Sequence, residues 1–336
     1  RMMEQYGARL AAVCALMLGD RDLAQDIVQE TFYRIWKNRK DLDIQISARN
    51  FLITSVRNAC LDLIRKQEIE KRWIEKRLEE LKQENKKAFI TYTTAGLPDL
   101  QTTAKLIFAQ EEAGADILEI GVPFSDPVAD GPVIQNASYQ AIQKGATLTK
   151  IFDMIEGVRK EKCEVPIVFM MYYNTVYHYG LDAFAARCIE CGVDGLIIPD
   201  LPFEEQGELK TVLAKNEASP ILIQLVSPVS KQRVPMLLEN ARGFVYCVSQ
   251  MGVTGKGANF HKDIREYLAA VKQTSAIPVM VGFGIRTAKD IEPFEDIVDG
   301  AIVGSNLLRI LEESNYSVDA VKEYVSGFKK ELNKNK

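Results

Sequence analysis

Residues 278–308 read PVMVGFGIRTAKDIEPFEDIVDGAIVGSNLL. An apolar run, 278–283, ends on Gly282-Phe283-Gly284. A second, 300–304, ends on Gly304-Ser305 and opens into the helical pattern SNLLRILEE. Short runs apolar along their whole length suit strands buried on both faces. Glycines let a backbone approach an anion closely, and a helix start offers free N–H groups and the positive end of a dipole.

Working outward, the same alternation fills the chain after residue 87. Further strands are expected at 88–95, 117–121, 166–172, 195–199, 220–226 and 244–249, which makes eight with the two above. Amphipathic stretches such as LQTTAKLIFAQEEAG, AFAARCIECG and FHKDIREYLAAVKQ lie between them. Strand–helix alternation implies parallel pairing through right-handed crossovers. Eight units in about 250 residues is the size of a (β/α)8 barrel, a TIM barrel. A doubly wound open sheet is the alternative, but no GxGxxG fingerprint follows the first strand.

Function in a barrel gathers where the strands end. Glu119 interrupts the apolar strand Ile117-Leu118-Glu119-Ile120-Gly121. A carboxylate inside a barrel is costly unless paired or neutralised, and burial raises its pKa, which suits a group that gives and takes a proton. An exposed strand-end Glu is the plainer alternative. Asp126 and Asp130 follow in GVPFSDPVADGP; Asp is common in turns, yet two here make a polar cluster over the barrel mouth. The glycine turns at 282–284 and 304–305 sit where this fold usually holds phosphate. Gly252-Val253-Thr254-Gly255-Lys256-Gly257 lacks the full GxxxxGK[ST] spacing and reads as a mobile lid. His178 and His261 have no Ser, Cys or metal constellation near them in sequence and read as solvated.

The first ~66 residues are different in kind. Leu10, Val13, Cys14 and Met17, then Ile27, Phe32, Ile35 and Trp36, recur at helical spacing, with Phe32 and Trp36 expected in a core. A third helix is expected over 48–66, with Phe51, Leu52, Val56, Ala59, Cys60, Leu63 and Ile64 on one side. A charged connector, KRWIEKRLEELKQENKK, carries Trp73, Ile74, Leu78 and Leu81 at helical spacing, and residues 74–83 are expected to pack across the barrel bottom. The division expected is therefore 1–67, a small all-α module; 68–83, connector and first barrel helix; and 84–336, the barrel.

Composition adds little. The net charge of −4 over 336 residues decides nothing about an acidic ligand, because an average hides a basic patch. The six cysteines show only one CxxC pair, Cys188 and Cys191, and read as thiols of a reducing cytoplasm. No apolar run reaches ~18 residues and no secretory signal is visible. The first residue is Arg1 and not Met, which leaves an upstream start open.

Two resemblances emerge. LEIGVPFSDPVADGPVIQNA, MYYN, GVDGLIIPDLP, GVTG, VGFGI and VGS, with the entry RLEELKQENKKAFITYTTAG, closely resemble the tryptophan synthase alpha subunit over about 250 residues. That resemblance implies a lyase that cleaves indole-3-glycerol phosphate to indole and glyceraldehyde 3-phosphate by a retro-aldol route, without a cofactor of its own. It implies Glu119 as general acid–base and Asp130 as the carboxylate that holds the indole N–H. It also implies Gly255, Gly284, Gly304 and Ser305 as phosphate-contacting backbone, Tyr92, Tyr172 and Tyr246 as pocket lining, and Thr254 as a lid residue touching Asp130. The implied partner is a pyridoxal-phosphate beta subunit in an alpha2-beta2 complex. Ser249-Gln250-Met251-Gly252, where the family usually has Arg before the glycine, and Leu97, where it often has Asp, depart from the pattern near the lid and first loop.

The second resemblance is in LGDRDLAQDIVQETFYRIWKN and ARNFLITSVRNACLDLIRK, which resemble region 2 of an extracytoplasmic-function sigma factor over residues 1–67. It implies contact with DNA or RNA polymerase. Arg49, Arg57, Arg65 and Lys66 against Asp62 give the third helix the charge sign that favours phosphate. The alternative function is thus a polymerase- or DNA-binding protein with the barrel as carrier.

Overall fold

The computed structural model describes residues 2–18, 21–37, 47–70, 73–248, 258–282 and 284–334. The chain forms two compact units, Arg1–Lys71 and Arg72–Lys336. The expected connector is divided between them: residues 68–70 continue a helix of the first unit, and residues 73–83 form a helix of the second.

The described residues of the first unit form three helices, α1 (Met2–Leu18), α2 (Arg21–Lys37) and α3 (Ala48–Glu70). Its core takes Leu10 and Cys14 from α1, Ala24 and Val28 from α2, and Leu52, Val56 and Cys60 from α3. The spacing of four within each helix puts those residues on one stripe. Cys14 and Cys60, both free, meet across it with sulfurs 2.8 Å apart. Trp36 corrects the sequence reading. It is 61% exposed, while Phe32 and Ile35 are partly buried against the core. The buried line runs Ala24, Val28, Thr31, and Trp36 lies one step, ~100°, round from Ile35. The side chains of Leu63, Ile64, Arg65 and Lys66 lie outside the described residues.

The second unit is the expected barrel. Its strands are β1 (Ala88–Thr94), β2 (Ile117–Gly121), β3 (Ile167–Met170), β4 (Gly195–Ile197), β5 (Ile221–Leu222), β6 (Gln224–Val226), β7 (Val245–Val248), β8 (Val279–Gly282) and β9 (Gly300–Val303). Every pair is parallel, in the order β5-β4-β3-β2-β1-β9-β8-β7-β6. The ends of that order are two halves of one expected strand, parted only by Ile223. β5 pairs with β4 and β6 with β7, so the covalent chain itself closes the ring. The helices relevant to the site are α4 (Trp73–Gln83), α5 (Leu100–Glu112), α6 (Pro132–Gln143), α7 (Leu148–Lys160), α8 (Tyr173–Tyr179) and, after β9, Ser305–Glu313 and Val318–Leu332. Asp99 caps α5 and Thr147 caps α7, each accepting a first-turn N–H.

Strand alternation sorts the core into two layers. Ala88, Ile90, Ile117, Val168, Ile197, Ile221, Ile223, Phe244, Met280 and Ile302 point inward together, while Phe89, Leu118, Ile120, Phe169 and Val245 pack outward against the helices. Ile74, Leu78 and Leu81 of α4 join the inward set. They plug the end where the strands begin, as the sequence led us to expect, and each buried side chain contributes about 1.5–3 kcal/mol. Gly195 and Gly243 make room there: a Cβ on Gly195 would lie 2.9 Å from Ile74 Cδ1.

Three aspartates bind that lower rim. Asp116, Asp194 and Asp299 each directly precede a strand and accept an N–H from the start of the strand beside it: Phe89 at 2.6 Å, Ile167 at 2.8 Å and Val279 at 2.7 Å. Each also meets a cation from a helix. Arg77 and Lys329 hold Asp116, Arg159 holds Asp194 and Lys272 holds Asp299. This end of the molecule is built for stability, which leaves the opposite rim for chemistry.

Candidate active site

Glu119 shares the inward face of β2 with Ile117, because residues two apart point the same way. It pairs with Tyr92 of β1 on one side and Val168 of β3 on the other. It is 1% exposed, and neither carboxyl oxygen has a hydrogen-bond partner among the described residues. Burial, and then the charge of Asp130, push its pKa up to about 8. The exposed-strand-end alternative is therefore excluded.

Tyr92 of β1 and Tyr246 of β7 stand at inward positions of their strands, paired with Glu119 and Met280. Each ring lies over a glycine that is the next inward residue of a neighbouring strand. A Cβ on Gly121 would fall 2.0 Å from Tyr92 Oη, and one on Gly282 would fall 2.9 Å from Tyr246 Cε1. Glycine is required at both places because the aromatic ring occupies the space of a side chain. The Tyr92 hydroxyl accepts from Thr94 Oγ1 at 3.3 Å. Burial raises the pKa of both phenols, and the charges of Glu119 and Asp130 raise them further, so both groups stay protonated beside the carboxyls.

Asp130 stands in the loop between β2 and α6. Tyr172, two residues after the end of β3, donates from its hydroxyl to Asp130 Oδ2 at 2.9 Å. Burial raises the Asp130 pKa and this hydrogen bond opposes the rise. Phe124 stacks on Tyr172 with ring centroids 4.9 Å apart. Asp126, the other loop carboxylate, is exposed and bonded to Ser125 Oγ at 2.6 Å, so it serves the turn.

The two glycine corners lie at the ends of β8 and β9. Gly284 has φ +65°, a left-handed conformation that other residues rarely adopt, and open space where a side chain would be. Gly304 precedes the helix Ser305–Glu313, and Leu307 N–H bonds back to its carbonyl at 2.9 Å. The corners are tied together: Asn306 Nδ2 and Tyr324 Oη both donate to Arg286 O, at 3.4 and 2.8 Å. Tyr92 connects this corner to the carboxyl, because a Cβ on Gly304 would lie 3.4 Å from Tyr92 Cβ while the Tyr92 hydroxyl reaches over Gly121.

Gly255, Thr254 and the expected lid, 249–257, lie outside the described residues, as does the His261 side chain. His178 is exposed near the end of α8. Cys188 and Cys191 are buried free thiols, and no metal-holding cluster of His, Cys, Asp and Glu exists among the described residues. Sequence reasoning missed Gly121, Thr94 and Phe124, and it gave Gly282 to the phosphate turn and not to the seat of the Tyr246 ring. The glycines did carry a signal, since each lies two residues after an inward strand residue, Glu119 or Met280.

Comparison with known proteins agrees with the fold. The Tryptophan synthase alpha chain family profile matches residues 78–335. The chain belongs to the tryptophan synthase alpha chain family. The Lachnospira eligens tryptophan synthase alpha chain is 73% identical over 260 residues, covering 77% of this chain and 98% of that one. The corresponding Alkaliphilus metalliredigens protein is 44% identical over 255 residues, covering 75% and 95%. The crystal structure of the tryptophan synthase alpha subunit from Legionella pneumophila superposes with a TM-score of 0.71 at 33% identity, covering 77% of this chain and 98% of that one. Membership in the tryptophan synthase alpha chain family makes the barrel an enzyme of tryptophan biosynthesis. Residues 2–69, outside the span of those relatives, match the Sigma-70 region 2 profile. Among the described residues no helix is long and apolar enough to cross a membrane.

Proposed function

We propose that the barrel is a lyase that cleaves indole-3-glycerol phosphate to indole and glyceraldehyde 3-phosphate. The observation that carries this reading is Glu119, a carboxyl group inside the barrel with both oxygens unpartnered among the described residues and a pKa near 8. A group of that acidity can give a proton and take one back near neutral pH.

The steps balance with side chains alone. Protonated Glu119 delivers its proton to the indole ring carbon that bears the glyceryl chain. The ring becomes cationic, and the Asp130 carboxylate accepts the hydrogen bond of its N–H and offsets the charge. Glu119, now a carboxylate, removes the proton of the adjacent glyceryl hydroxyl. That oxygen becomes the aldehyde, the carbon–carbon bond breaks, and its electrons neutralise the ring to give indole. Tyr92, Tyr172 and Tyr246 line the indole pocket, and the aromatic faces exclude water. Gly255, Gly284, Gly304 and Ser305 bind the phosphate through main-chain N–H groups. Thr254 closes over Asp130 with the lid. The chain carries no cofactor of its own in this reading; pyridoxal phosphate belongs to a beta subunit, which receives indole in an alpha2-beta2 complex in the cytoplasm.

Incubating purified protein with indole-3-glycerol phosphate, alone and with a beta subunit, should release indole. No indole under either condition rejects the lyase reading.

A second reading applies to residues 1–67 alone. Tyr33 and Trp36 are exposed on α2, and Arg49 and Arg57 are exposed on α3. With the Sigma-70 region 2 match, these support a module that contacts DNA or RNA polymerase. A salt-dependent gel shift with promoter DNA, or a polymerase pulldown, tests it; silence in both leaves the module without that role.

A further inference from the structure

Tyr172 makes three contacts with one loop. Its hydroxyl donates to Asp130 Oδ2 and accepts from Ala129 N, both at 2.9 Å. Its ring stacks on Phe124, 17° from parallel. Its own backbone is fixed at the barrel rim, where Met171 N–H bonds to Ile197 O at 3.0 Å and Tyr172 O accepts from Thr175 N at 3.1 Å. Val122 N–H bonds to Met170 O at 2.9 Å where the loop 122–131 begins, and the Tyr172 side chain ties its far part, Phe124, Ala129 and Asp130, to the end of β3.

We propose that Tyr172 is a positioning residue for Asp130, holding Oδ2 so that Oδ1 faces the pocket as the acceptor for the ring N–H of the substrate. This rests on the lyase reading and extends it. Among the described residues no donor engages Oδ1, and Tyr172 is the only side chain that donates to this carboxylate. Among the described residues, the other groups that feel the Asp130 charge are Glu119 from β2, Tyr92 from β1 and Tyr246 from β7. Asp126 on the same loop is turned to Ser125, and Asp200 acts on Tyr172 from beyond β4. None of these is a cation, so the phenol hydrogen bond is what favours the ionised carboxylate. Burial and the Asp130 charge raise the pKa of Tyr172 itself, which keeps the donor protonated across the working range.

Tyr172→Phe keeps the ring and its stacking and removes the hydroxyl. Indole release should lose about 10–100-fold in kcat with little change in KM, the signature of an interaction that matters most in the transition state. The acid limb of the kcat/KM profile should move up by about one pH unit, because the carboxylate has lost its donor. The ¹³C NMR titration of the Asp130 carboxyl, without substrate, should move up in step. An unmoved titration and an unmoved acid limb overturn the proposal, as does a variant that only loses thermal stability. If the wild-type protein releases no indole, the lyase reading fails, and the NMR titration still decides whether Tyr172 controls Asp130. Should Tyr172→Phe fold poorly, a fluorotyrosine at 172, a stronger donor of the same shape, should move the carboxyl titration down; no movement overturns the proposal.

Discussion

The Tyr92 ring lies over Gly121 so closely that a Cβ on the glycine would sit 2.5 Å from Tyr92 Cζ. Tyr92 has little room to retreat, since its backbone is paired in β1 between β2 and β9. Gly121→Ala should therefore push the ring away from Glu119 and the pocket. Overpacking of this kind costs about 1–3 kcal/mol, and misplacing a pocket wall should lower kcat/KM for indole release by about 10–100-fold. Thermal unfolding and steady-state kinetics of the variant check both parts.

Glu119 should make the fold less stable as the pH rises. Its pKa is about 8 in the folded protein and about 4.3 in an unfolded chain. Below about pH 4 both states hold the proton and nothing is lost. Between the two values the unfolded chain releases a proton that the folded protein keeps, so stability falls until the pH passes the folded value. Glu119→Gln has no such slope. The variant should match wild type near pH 4.5 and exceed it by about 2–4 kcal/mol at pH 8. Chemical unfolding of both proteins across that range measures the difference.

The same shifts set the pH profile of the reaction. Glu119 must begin as an acid, so activity should fall above about pH 8 as it ionises. Asp130 must be a carboxylate, and its raised pKa puts the low-pH limb above the ordinary aspartate range. A bell-shaped kcat/KM is expected, with limbs that belong to the coupled pair. A profile still rising at pH 9 would contradict the assignment of Glu119 as the acid.

At the far rim Asp116 pairs with Lys329 and with Arg77, which also holds Glu80, and accepts Phe89 N–H. Removing this buried carboxylate leaves the largely buried Lys329 and the Phe89 N–H without it. Asp116→Ala should destabilise by about 3–5 kcal/mol. Because α4 and this rim lie at the end away from Glu119, kcat at 25 °C should stay within twofold of wild type. Denaturant titration beside the indole assay separates the two effects.

Much of this architecture was readable from the residues because its strands are buried on both faces. Such strands read as mostly apolar runs, and Glu119 stood out as the one charged residue within them. The division of the fifth strand at Ile223 was not readable, since it comes from ring closure: one half faces β4 and the other β7. For Gly121 and Gly282 the inward position was readable from strand alternation, but the reason for glycine was not: each is required by an aromatic ring from a different strand. Asp116, Asp194 and Asp299 did not stand out because their partners, Phe89, Ile167 and Val279, are remote in sequence. Trp36 was misjudged because helical spacing fixes a stripe only to within about one residue, or 100°.

The most direct test compares Glu119→Gln with wild type in a single turnover of indole-3-glycerol phosphate, with substrate affinity measured separately. The account predicts near-normal affinity and a loss of about 100-fold or more in the rate of indole release. An amide at position 119 that still released indole at the wild-type rate would contradict it.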